Sequence, residues 1–321
     1  MTSAQLSGGV VTVVGSIHVD FFIRVPRLPR PGETIKGHGF AIKPGGKGAN
    51  QAVGCGRLGL KTYMVGKLGR DFAEFLLSNF RSNGVYTDYV YVDEEANTGV
   101  AFILLSDEGE NMIAFDPGAD YRLIPDDVRR AEDAISRSTV LLTQLEVPLE
   151  TVEAALSLAK EKGVTTILNP APARELPHSI LELADIVTPN RVEASMLTGV
   201  EVRDAKTAAE AGRRLLSMGA GSAVITMGGE GAVVVTGEEA YLVPAVRVTP
   251  VDTTGAGDAF NAGLAFGLVQ GLPLMEAVKL GNMTAAIKVT KFGAQEGLPW
   301  REELEEFLKR KLELIKPFRV Q

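Results

Sequence analysis

The amino-acid sequence predicts an α/β fold, a three-layer α/β/α sandwich with a central, mostly parallel sheet and a small β-sheet lid. Residues 10–17 form a continuous β-branched run, typical of a strand buried on both faces of a parallel sheet. Between residues 62 and 168, strand-like and helix-like segments alternate, which implies crossovers that place helices on both faces of the sheet. No linker long enough to separate independent units occurs, so we expect residues 1–321 to form a single domain.

Composition and charge argue against several classes of protein. The hydrophobic and charged fractions, 45% and 23%, are typical of globular proteins, and the net charge of −7 is unlike that of a nucleic-acid-binding domain. The one cysteine, Cys55, rules out an internal disulfide, and the three histidines show no metal-ligand spacing. No apolar run spans a bilayer, and residues 1–5 lack the features of a signal peptide. We therefore expect a cytoplasmic protein with no nucleic-acid or membrane partner.

The first strand leads directly to His18 and Asp20, at the edge of the sheet where open α/β folds bind their ligands. Asp20 is a candidate for a polar ligand contact, with an ordinary strand-end cap as the alternative. Residues 19–43 and 97–116 are short alternating segments broken by proline and glycine, which predict a second, small sheet. An isolated sheet exposes an apolar face, so we expect it to act as a lid over a site or to pair with another subunit.

A glycine-rich segment, 44–52, lies between these two stretches and precedes a helix predicted over 49–58. Its glycines allow a ligand to approach the backbone closely. The functional interpretation is that Lys47, Asn50 and the glycine amides bind the hydroxyl groups of a polyol. The alternative is that Asn50 only caps the helix. Further along, we expect strands at 62–68, 140–145 and 164–168 and helices at 71–82, 126–136 and 148–162.

Polar residues follow three apolar strands of the predicted sheet: Glu146, Asn169 and Asn190. Because the carboxyl ends of parallel strands lie at one edge, we expect all three to face the same crevice as Asp20 and Asp258. Each residue alone is also a normal cap for the following helix, but three in register favour a ligand crevice.

A glycine turn, 226–231, separates two apolar strands in the second half of the chain. Its open backbone can approach the phosphate and ribose of a nucleotide, although the sequence equally allows a tight hairpin. The remaining chain predicts helices over 257–270, 273–290 and 300–315.

The motif at 251–261 is a glycine-containing turn followed at once by an apolar helix. We expect the N–H groups of Gly255, Ala256 and Gly257, in the turn and at the start of this helix, to stabilise an anion together with the helix dipole. Asp258 is then the candidate general base, since it can accept a hydroxyl proton while the amides stabilise a phosphoryl group. The alternative is a carboxylate that only interacts with the helix dipole. The spacing matches neither the P-loop nor the dinucleotide-binding fingerprint.

The strings 252–258 and 45–52 resemble the two signatures of the ribokinase branch of the pfkB-type carbohydrate kinases. The shorter strings 144–146 and 169–173 are also similar to that branch, and the resemblance extends over residues 15–300. It implies a ribokinase-like fold and ATP-dependent phosphorylation of the 5-hydroxyl group of D-ribose, giving D-ribose 5-phosphate and ADP. It also implies Mg²⁺, activation by K⁺ and a homodimer formed through the lid. The alternatives are another sugar or nucleoside kinase of the superfamily, or a catalytically inactive sugar-binding module.

The resemblance also implies roles for individual residues around Asp258. The sugar would be bound by His18, Asp20, Gly46, Lys47, Gly48, Ala49, Asn50 and Glu146. The nucleotide would be bound by Asn190, Thr226, Met227, Gly228, Gly229, Glu230, Gly231, Gly257 and Asn282. Glu193 would bind Mg²⁺ through water. A monovalent cation would be bound, mostly by main-chain carbonyls, at Asp252, Thr254, Lys288, Lys291, Gly293 and Gly297. At position 18 many relatives have asparagine, and the larger histidine predicts an altered sugar pocket.

Overall fold

The computed structural model describes residues 9–311 and 315–320. Its central sheet has ten strands in that part of the chain. From one edge to the other they are β14 (Phe318–Arg319), β13 (Glu239–Val243), β12 (Ala232–Thr236), β11 (Ser222–Thr226), β10 (Ile186–Val187), β9 (Thr165–Leu168), β8 (Val140–Thr143), β1 (Val10–Val14), β4 (Lys61–Gly69) and β5 (Val85–Asp93). All pairings from β11 to β5 are parallel, whereas β12, β13 and β14 extend one edge in antiparallel pairs. The predicted α/β class with a mostly parallel sheet is confirmed.

Helices cover both faces of this sheet. They are α1 (Lys47–Arg57), α2 (Ala73–Ser82), α3 (Pro125–Arg130), α4 (Glu132–Ser136), α5 (Leu149–Glu161), α6 (His178–Leu181), α7 (Arg191–Thr198), α8 (Ala205–Ser217), α9 (Ala256–Val269), α10 (Leu274–Val289) and α11 (Arg301–Lys311). Side chains alternate along the strands, so that Val13 and Leu142 pack towards α1, α9 and α10, while Val14 and Leu141 pack towards α5 and α8. The central strands are thus buried on both faces, which is why their sequences are almost entirely apolar.

Among the described residues, a second, small sheet has four strands in the order β3 (His38–Gly45), β2 (His18–Val25), β6 (Gly99–Ser106) and β7 (Asn111–Asp116). The two stretches interrupted by proline and glycine therefore pair with each other, through the parallel contact between β2 and β6. Large apolar side chains of this sheet remain exposed, among them Phe40 at 63%, Ile113 at 56% and Phe102 at 50%. An exposed apolar surface of this kind usually has a functional role.

The first strand is shorter than the sequence predicts. It ends at Val14 rather than at residue 17. Gly15 and Ser16 turn against the start of α1, where the Ala49 N–H donates to the Ser16 carbonyl at 2.9 Å and a Cβ on Gly15 would lie 3.0 Å from the Cα of Gly48. The chain then passes directly into β2, so the small sheet begins where the central strand ends.

Other boundaries differ in smaller ways. The predicted helix 126–136 is two short helices, α3 and α4, because Ala131 ends one and precedes the other. The helix expected from residue 49 begins at Lys47, and β5 and α8 were not predicted from the sequence. Residues 312–314 of the helix expected over 300–315 lie outside the described residues, as do residues 1–5. Of the helices in the described part of the chain, none combines the length and apolar character needed to cross a membrane.

Candidate active site

The apolar helix α9 begins at the glycine turn that the sequence singles out. Gly255 is its N-cap, with a φ of 75° in the left-handed region that glycine adopts without strain. The turn is closed by the Ala256 N–H, which donates to the Thr253 carbonyl at 3.1 Å. Of the three amides expected to bind an anion, that of Ala256 is therefore already engaged. A Cβ on Gly257 would meet nothing within 4 Å, so a ligand can approach this part of the helix start closely.

Asp258 follows in the first turn of α9 and is only 6% exposed. Its Oδ2 accepts a hydrogen bond from the Asn50 side-chain amide at 2.9 Å, and its Oδ1 accepts one from Gln51 at 3.1 Å. Burial raises the pKa of Asp258, while the charge of Lys47 and the two amide hydrogen bonds oppose that rise. A carboxylate that is held rigidly and has a raised pKa has the properties of a general base.

The start of α1 lies opposite the start of α9. The Lys47 N–H donates to Oε2 of Glu146 at 2.9 Å, and the Lys47 ammonium lies 3.9 Å from Oε1 of the same carboxylate. Burial tends to lower the pKa of this ammonium group, but nearby carboxylates raise it. These carboxylates belong to Asp258, Glu146, Glu193 and Asp20. One cation thus balances four acidic groups that come from distant parts of the chain.

Two carboxylates beside Lys47 have pKa values shifted in opposite directions. Burial would raise the pKa of Glu146, but the charges of His18 and Lys47 and hydrogen bonds from Ser16 and Lys47 lower it. Burial raises the pKa of Asp20 to about 6, because the charges of neighbouring groups do not compensate for it. A Cβ on Gly45 would lie 2.4 Å from the Asp20 carboxylate, so a larger residue there would displace that carboxylate.

The His18 side chain forms an ion pair with Asp120, so its ring is not available only to the candidate site. Its ring is buried against Phe115, and its Nε2 lies 2.7 Å from Oδ2 of the fully buried Asp120. The other Asp120 oxygen accepts the Ile17 N–H at 2.8 Å. Burial alone would lower the pKa of His18, but the charge of Asp120, with smaller contributions from other carboxylates, raises it to about 9. Burial raises the pKa of Asp120 to about 6, against the opposing charge of His18. The ion pair therefore joins β2 to the short helix Gly118–Arg122.

Amide side chains outside the predicted set connect the two helix starts. Gln51 donates to Asn169 at 3.1 Å as well as to Asp258, and Gln295 donates to Oδ1 of Asn50 at 3.0 Å. Gln51 was predictable from the sequence, because it follows Asn50 in the glycine-rich motif. Gln295 was not, since it lies 245 residues from its partner and the local sequence does not indicate a contact with Asn50.

A cavity of about 460 Å³ opens at the start of α9, between the glycine turn 226–231, the stretch 245–250 and α10. The predicted nucleotide residues that line it are Thr226, Gly228, Gly229, Gly231, Gly257 and Asn282. Its volume lies within the roughly 300–1,000 Å³ of small-molecule sites. The stretch 245–250, which includes Arg247, was missed because it carries no motif.

The other predicted nucleotide residues are not among those lining the cavity. Met227 is buried, and Glu230 forms an ion pair with Arg191. Asn190 caps α7: its side-chain oxygen accepts the Glu193 N–H at 2.9 Å, and its own N–H donates to the Glu193 carboxylate at 2.7 Å. The capping alternative is therefore realised at Asn190. The turn 226–231 is also a hairpin, since β11 and β12 are antiparallel.

Glu193 is the residue expected to bind Mg²⁺ through water. It is buried, which raises its pKa, while hydrogen bonding from Asn190 and the charge of Lys47 oppose the rise. Within residues 9–311 and 315–320, no group of three or more acidic, histidine or cysteine side chains is placed to hold a metal ion. Mg²⁺ usually keeps several waters and is bound by one or two carboxylates plus substrate phosphates. The residues present fit an Mg²⁺ held in this way beside a nucleotide.

The expected monovalent cation site contains a lysine side chain. Lys288 is fully buried in the last turn of α10, and its Nζ lies 2.7 Å from the main-chain carbonyl of Asp252 and 3.9 Å from Oδ2 of the same residue. The Asp252 carboxylate accepts the N–H groups of Thr254 and Gly293, at 2.9 and 2.8 Å. Because an ammonium group occupies the carbonyl assigned to K⁺ by the resemblance, the residues present do not fit a bound K⁺ there.

The remaining positions expected around that cation agree with this picture. Lys291 directs its ammonium group away, into an ion pair with Glu303. Gly297 lies against the end of the Lys288 side chain, since a Cβ on it would be 2.9 Å from Cε of the lysine. Burial lowers the pKa of Lys288, while the charges of Asp252, Glu296 and Asp258 oppose that effect.

Comparisons with known proteins agree with the architecture and the motifs. The family model for pfkB family carbohydrate kinases matches residues 10–301. A ribokinase of Haemophilus influenzae is 41% identical over 299 residues, covering 93% of this chain and 98% of the relative. A deoxyribokinase of Salmonella typhi is 38% identical, covering 93% and 98%. The structure of Arabidopsis thaliana ribokinase complexed with ribose and ATP is similar with a TM-score of 0.87 at 30% identity, covering 94% of this chain and 99% of that one. The chain therefore belongs to the pfkB family of carbohydrate kinases.

Proposed function

We propose that the chain catalyses ATP-dependent phosphorylation of D-ribose at its 5-hydroxyl group, giving D-ribose 5-phosphate and ADP. The position of Asp258 carries the proposal. Its carboxylate accepts a hydrogen bond from Asn50 of the glycine-rich motif, while the adjacent Gly257 lines the cavity. A base between a polyol-binding motif and a nucleotide-sized cavity is suited to phosphoryl transfer. Relatives that are ribokinases, one of them 41% identical, support ribose as the sugar.

In this reaction Asp258 accepts the proton of the 5-hydroxyl group as its oxygen attacks the γ-phosphorus of ATP. The bond between the γ-phosphorus and the ADP oxygen breaks, and ADP leaves with that electron pair. The N–H groups at the start of α9, from Gly255, Ala256 and Gly257, stabilise the charge on the transferred phosphoryl group. The Ala256 N–H takes part only as far as its hydrogen bond to Thr253 allows.

The sugar binds between β2, the start of α1 and the end of β8. Asp20 and Glu146 accept hydrogen bonds from its hydroxyl groups, whereas Lys47, Asn50 and the loop amides donate. The loop amide is that of Gly46, whereas the N–H groups of Gly48 and Ala49 take part only as far as their hydrogen bonds to Ser16 allow. His18 acts indirectly, through its ion pair with Asp120 and its charge beside Glu146.

ATP occupies the cavity at the start of α9, with the turn 226–231 and Asn282 on one side and Gly257 at the phosphates. Met227 and Glu230 contribute through the shape of the turn, and Asn190 through the position of Glu193. Glu193 would hold Mg²⁺ through water, and the ion would supply charge neutralisation at the phosphates. K⁺ is not part of this proposal, because Lys288 already occupies the Asp252 carbonyl.

The small sheet acts as a lid, and its exposed apolar face forms a homodimer interface. Asp20 lies on β2, so the sheet that covers the sugar also contributes one of its ligands. Closure of the lid excludes water, which competes with the sugar as phosphoryl acceptor. The exposed Ile113 and Phe115, which lie on the same face of the sheet, supply the apolar area that a second subunit would bury. Use of ATP is consistent with a cytoplasmic enzyme.

A second candidate substrate is 2-deoxy-D-ribose, because a deoxyribokinase is 38% identical to this chain. The test is a coupled assay of ADP formation with ribose, 2-deoxyribose, fructose and nucleosides at saturating Mg²⁺–ATP. We expect the highest kcat/KM with ribose. A preference for 2-deoxyribose would select the second candidate, and a preference for a nucleoside would reject both. Ribose binding without turnover would indicate a sugar-binding module.

A further inference from the structure

We infer that the ammonium group of Lys288 takes the place of a bound monovalent cation and positions the turn before α9, so that K⁺ is not required. This inference deepens the proposed function and rests on it for the catalytic consequence. The placement of the side chain stands independently: its Nζ lies 2.7 Å from the Asp252 carbonyl oxygen and 3.9 Å from Oδ2.

The fold around Lys288 accommodates the lysine closely. The side chain is fully buried, and its charged end lies beyond the carboxyl end of α10, where a cation interacts favourably with the helix dipole. Gly297 leaves the space through which the side chain passes, since a Cβ there would be 2.9 Å from Cε of Lys288 and 2.8 Å from the Gly293 carbonyl oxygen. A larger residue at position 297 would displace the ammonium group.

A second cation has no place at this point. The Asp252 carbonyl oxygen already accepts a short hydrogen bond from an ammonium group, and both oxygens of its carboxylate accept main-chain N–H groups. A K⁺ ion bound to the same carbonyl would lie next to another positive charge in a buried environment, where like charges repel strongly. Only removal of the Lys288 charge would make this site favourable for an external ion.

The Lys288 ammonium group acts on the catalytic groups through the turn that precedes α9. Asp252 is attached to the end of α10 by its own N–H, which donates to the Val289 carbonyl at 3.1 Å, and by the Lys288 ammonium. Its carboxylate fixes the Thr254 N–H at 2.9 Å, and the next residue, Gly255, is the N-cap of α9. Lys288 is thus a positioning residue: it orders the turn whose continuation carries the helix-start amides and Asp258.

The first test uses the wild-type chain in buffers with K⁺, Na⁺ or tetramethylammonium at equal ionic strength. We expect the Tm to be the same with K⁺ as with Na⁺, since an ion that binds only the native state would raise it by mass action. We also expect kcat with the accepted sugar to change by less than about twofold, since no activating ion binds. A Tm that rises specifically with K⁺, or activation by K⁺ of about tenfold or more, would overturn the inference. No turnover with any sugar in the presence of an unchanged Tm would reject the proposed function but leave the placement of Lys288 supported.

The second test removes the charge while keeping the length of the side chain, in Lys288→Met. Because the turn loses its cation, we expect kcat to fall by about tenfold to a hundredfold with a smaller change in the KM for the sugar. K⁺ should then partly restore kcat and raise the Tm, which a lysine with only a packing role would not produce. The matched control is Lys279→Met on the same helix, whose ammonium pairs with Glu276 and whose loss should change neither quantity. Full activity of Lys288→Met without K⁺ would contradict the positioning role, and if the variant does not fold, the wild-type ion series decides.

Discussion

The side-chain amide of Asn50 lies 2.9 Å from Oδ2 of Asp258, although 208 residues separate them in the sequence. The contact brings the first turn of α1 against the first turn of α9, so two glycine-rich loops form one site. Both loops end at helix starts, and each supplies a polar side chain from its first turn. The proposed general base is therefore held by the motif that we propose binds the sugar, which would couple the orientation of the base to the shape of the sugar site.

Replacement of Asp258 by asparagine removes the proposed base and retains the shape of the side chain. We expect kcat to fall by about 10²–10⁴-fold, the usual contribution of a positioned general base, with ribose binding largely retained. A coupled assay measures the first quantity and isothermal titration calorimetry the second. Asp88→Asn, at an exposed position on the edge strand β5, is the control and should leave both unchanged. Wild-type turnover in Asp258→Asn would remove the assigned base.

Replacement of Gln51 by leucine should change the pH dependence of catalysis. Burial raises the pKa of Asp258, and the hydrogen bond from Gln51 partly counteracts this effect. A base is inactive when protonated, so kcat falls as the pH drops through the pKa of Asp258. Without the Gln51 donor that pKa rises further, and the acid limb of the kcat profile should move to higher pH while activity recovers at alkaline pH.

The control for that shift is Gln270→Leu at the far end of α9, which should leave the acid limb in place. Because Gln51 is buried and has several partners, we also expect its replacement to lower the free energy of unfolding by about 1–3 kcal/mol. A pH profile that falls uniformly, with no displacement of its acid limb, would show that Gln51 acts on folding and not on the base.

The parts of the site that were predictable are those that depend on local pattern. Asp258 and Asn50 stand at fixed distances from glycines that start helices, and Glu146 follows an apolar strand, so the period and order of the elements place them at one edge. The same reasoning predicted β1 as a central strand because both of its faces are apolar. Local pattern is enough when a residue's position follows from the element that it begins or ends.

What could not be predicted depends on contacts between distant segments. A lysine near the end of a helix, such as Lys288, is usually exposed, and only the approach of Asp252 and Gly297 makes it buried. His18 was expected at the sugar, but the pairing of β2 with β6 brings Asp120 to its ring. The stretch 245–250 lines the cavity only because the strand before it packs beside α10. Each of these features arises from tertiary packing, which no local period encodes.

A charge on the exposed face of the small sheet should disrupt the proposed dimer. Ile113→Lys places an ammonium group in the apolar surface that a second subunit would bury, and an unpaired charge at such an interface is costly. We expect size-exclusion chromatography with light scattering to report a dimer for the wild type and a monomer for this variant. Met196→Lys is the matched control, since Met196 is exposed to a similar extent, 54% against 56% for Ile113, but lies on α7. A monomeric wild type at working concentrations would remove the dimer proposal.

The buried pair of His18 and Asp120 should make stability depend on pH. The pKa of His18 rises from 6.5 to about 9 on folding, so the folded chain binds its proton more tightly than the unfolded chain. The stabilisation that results is complete below pH 6.5 and is lost as the pH rises through about 9. The pKa of Asp120 also rises on folding, from 3.8 to about 6, so its contribution to the free energy of unfolding changes between those two pH values. This range does not overlap with the range from pH 6.5 to about 9 in which the contribution of His18 changes.

Urea unfolding of the wild type between pH 6.5 and 9 should therefore show a declining free energy of unfolding, and the double variant His18→Asn/Asp120→Asn should show a smaller decline. The single variant His18→Asn leaves the Asp120 carboxylate buried without its cation, so at neutral pH it should be less stable than the wild type by about 3–5 kcal/mol. The double variant should recover part of that loss, because neither of its side chains carries a charge. Equal pH slopes in the wild type and the double variant would show that His18 does not keep its proton on folding, and the ion pair would then not be what joins β2 to the helix Gly118–Arg122.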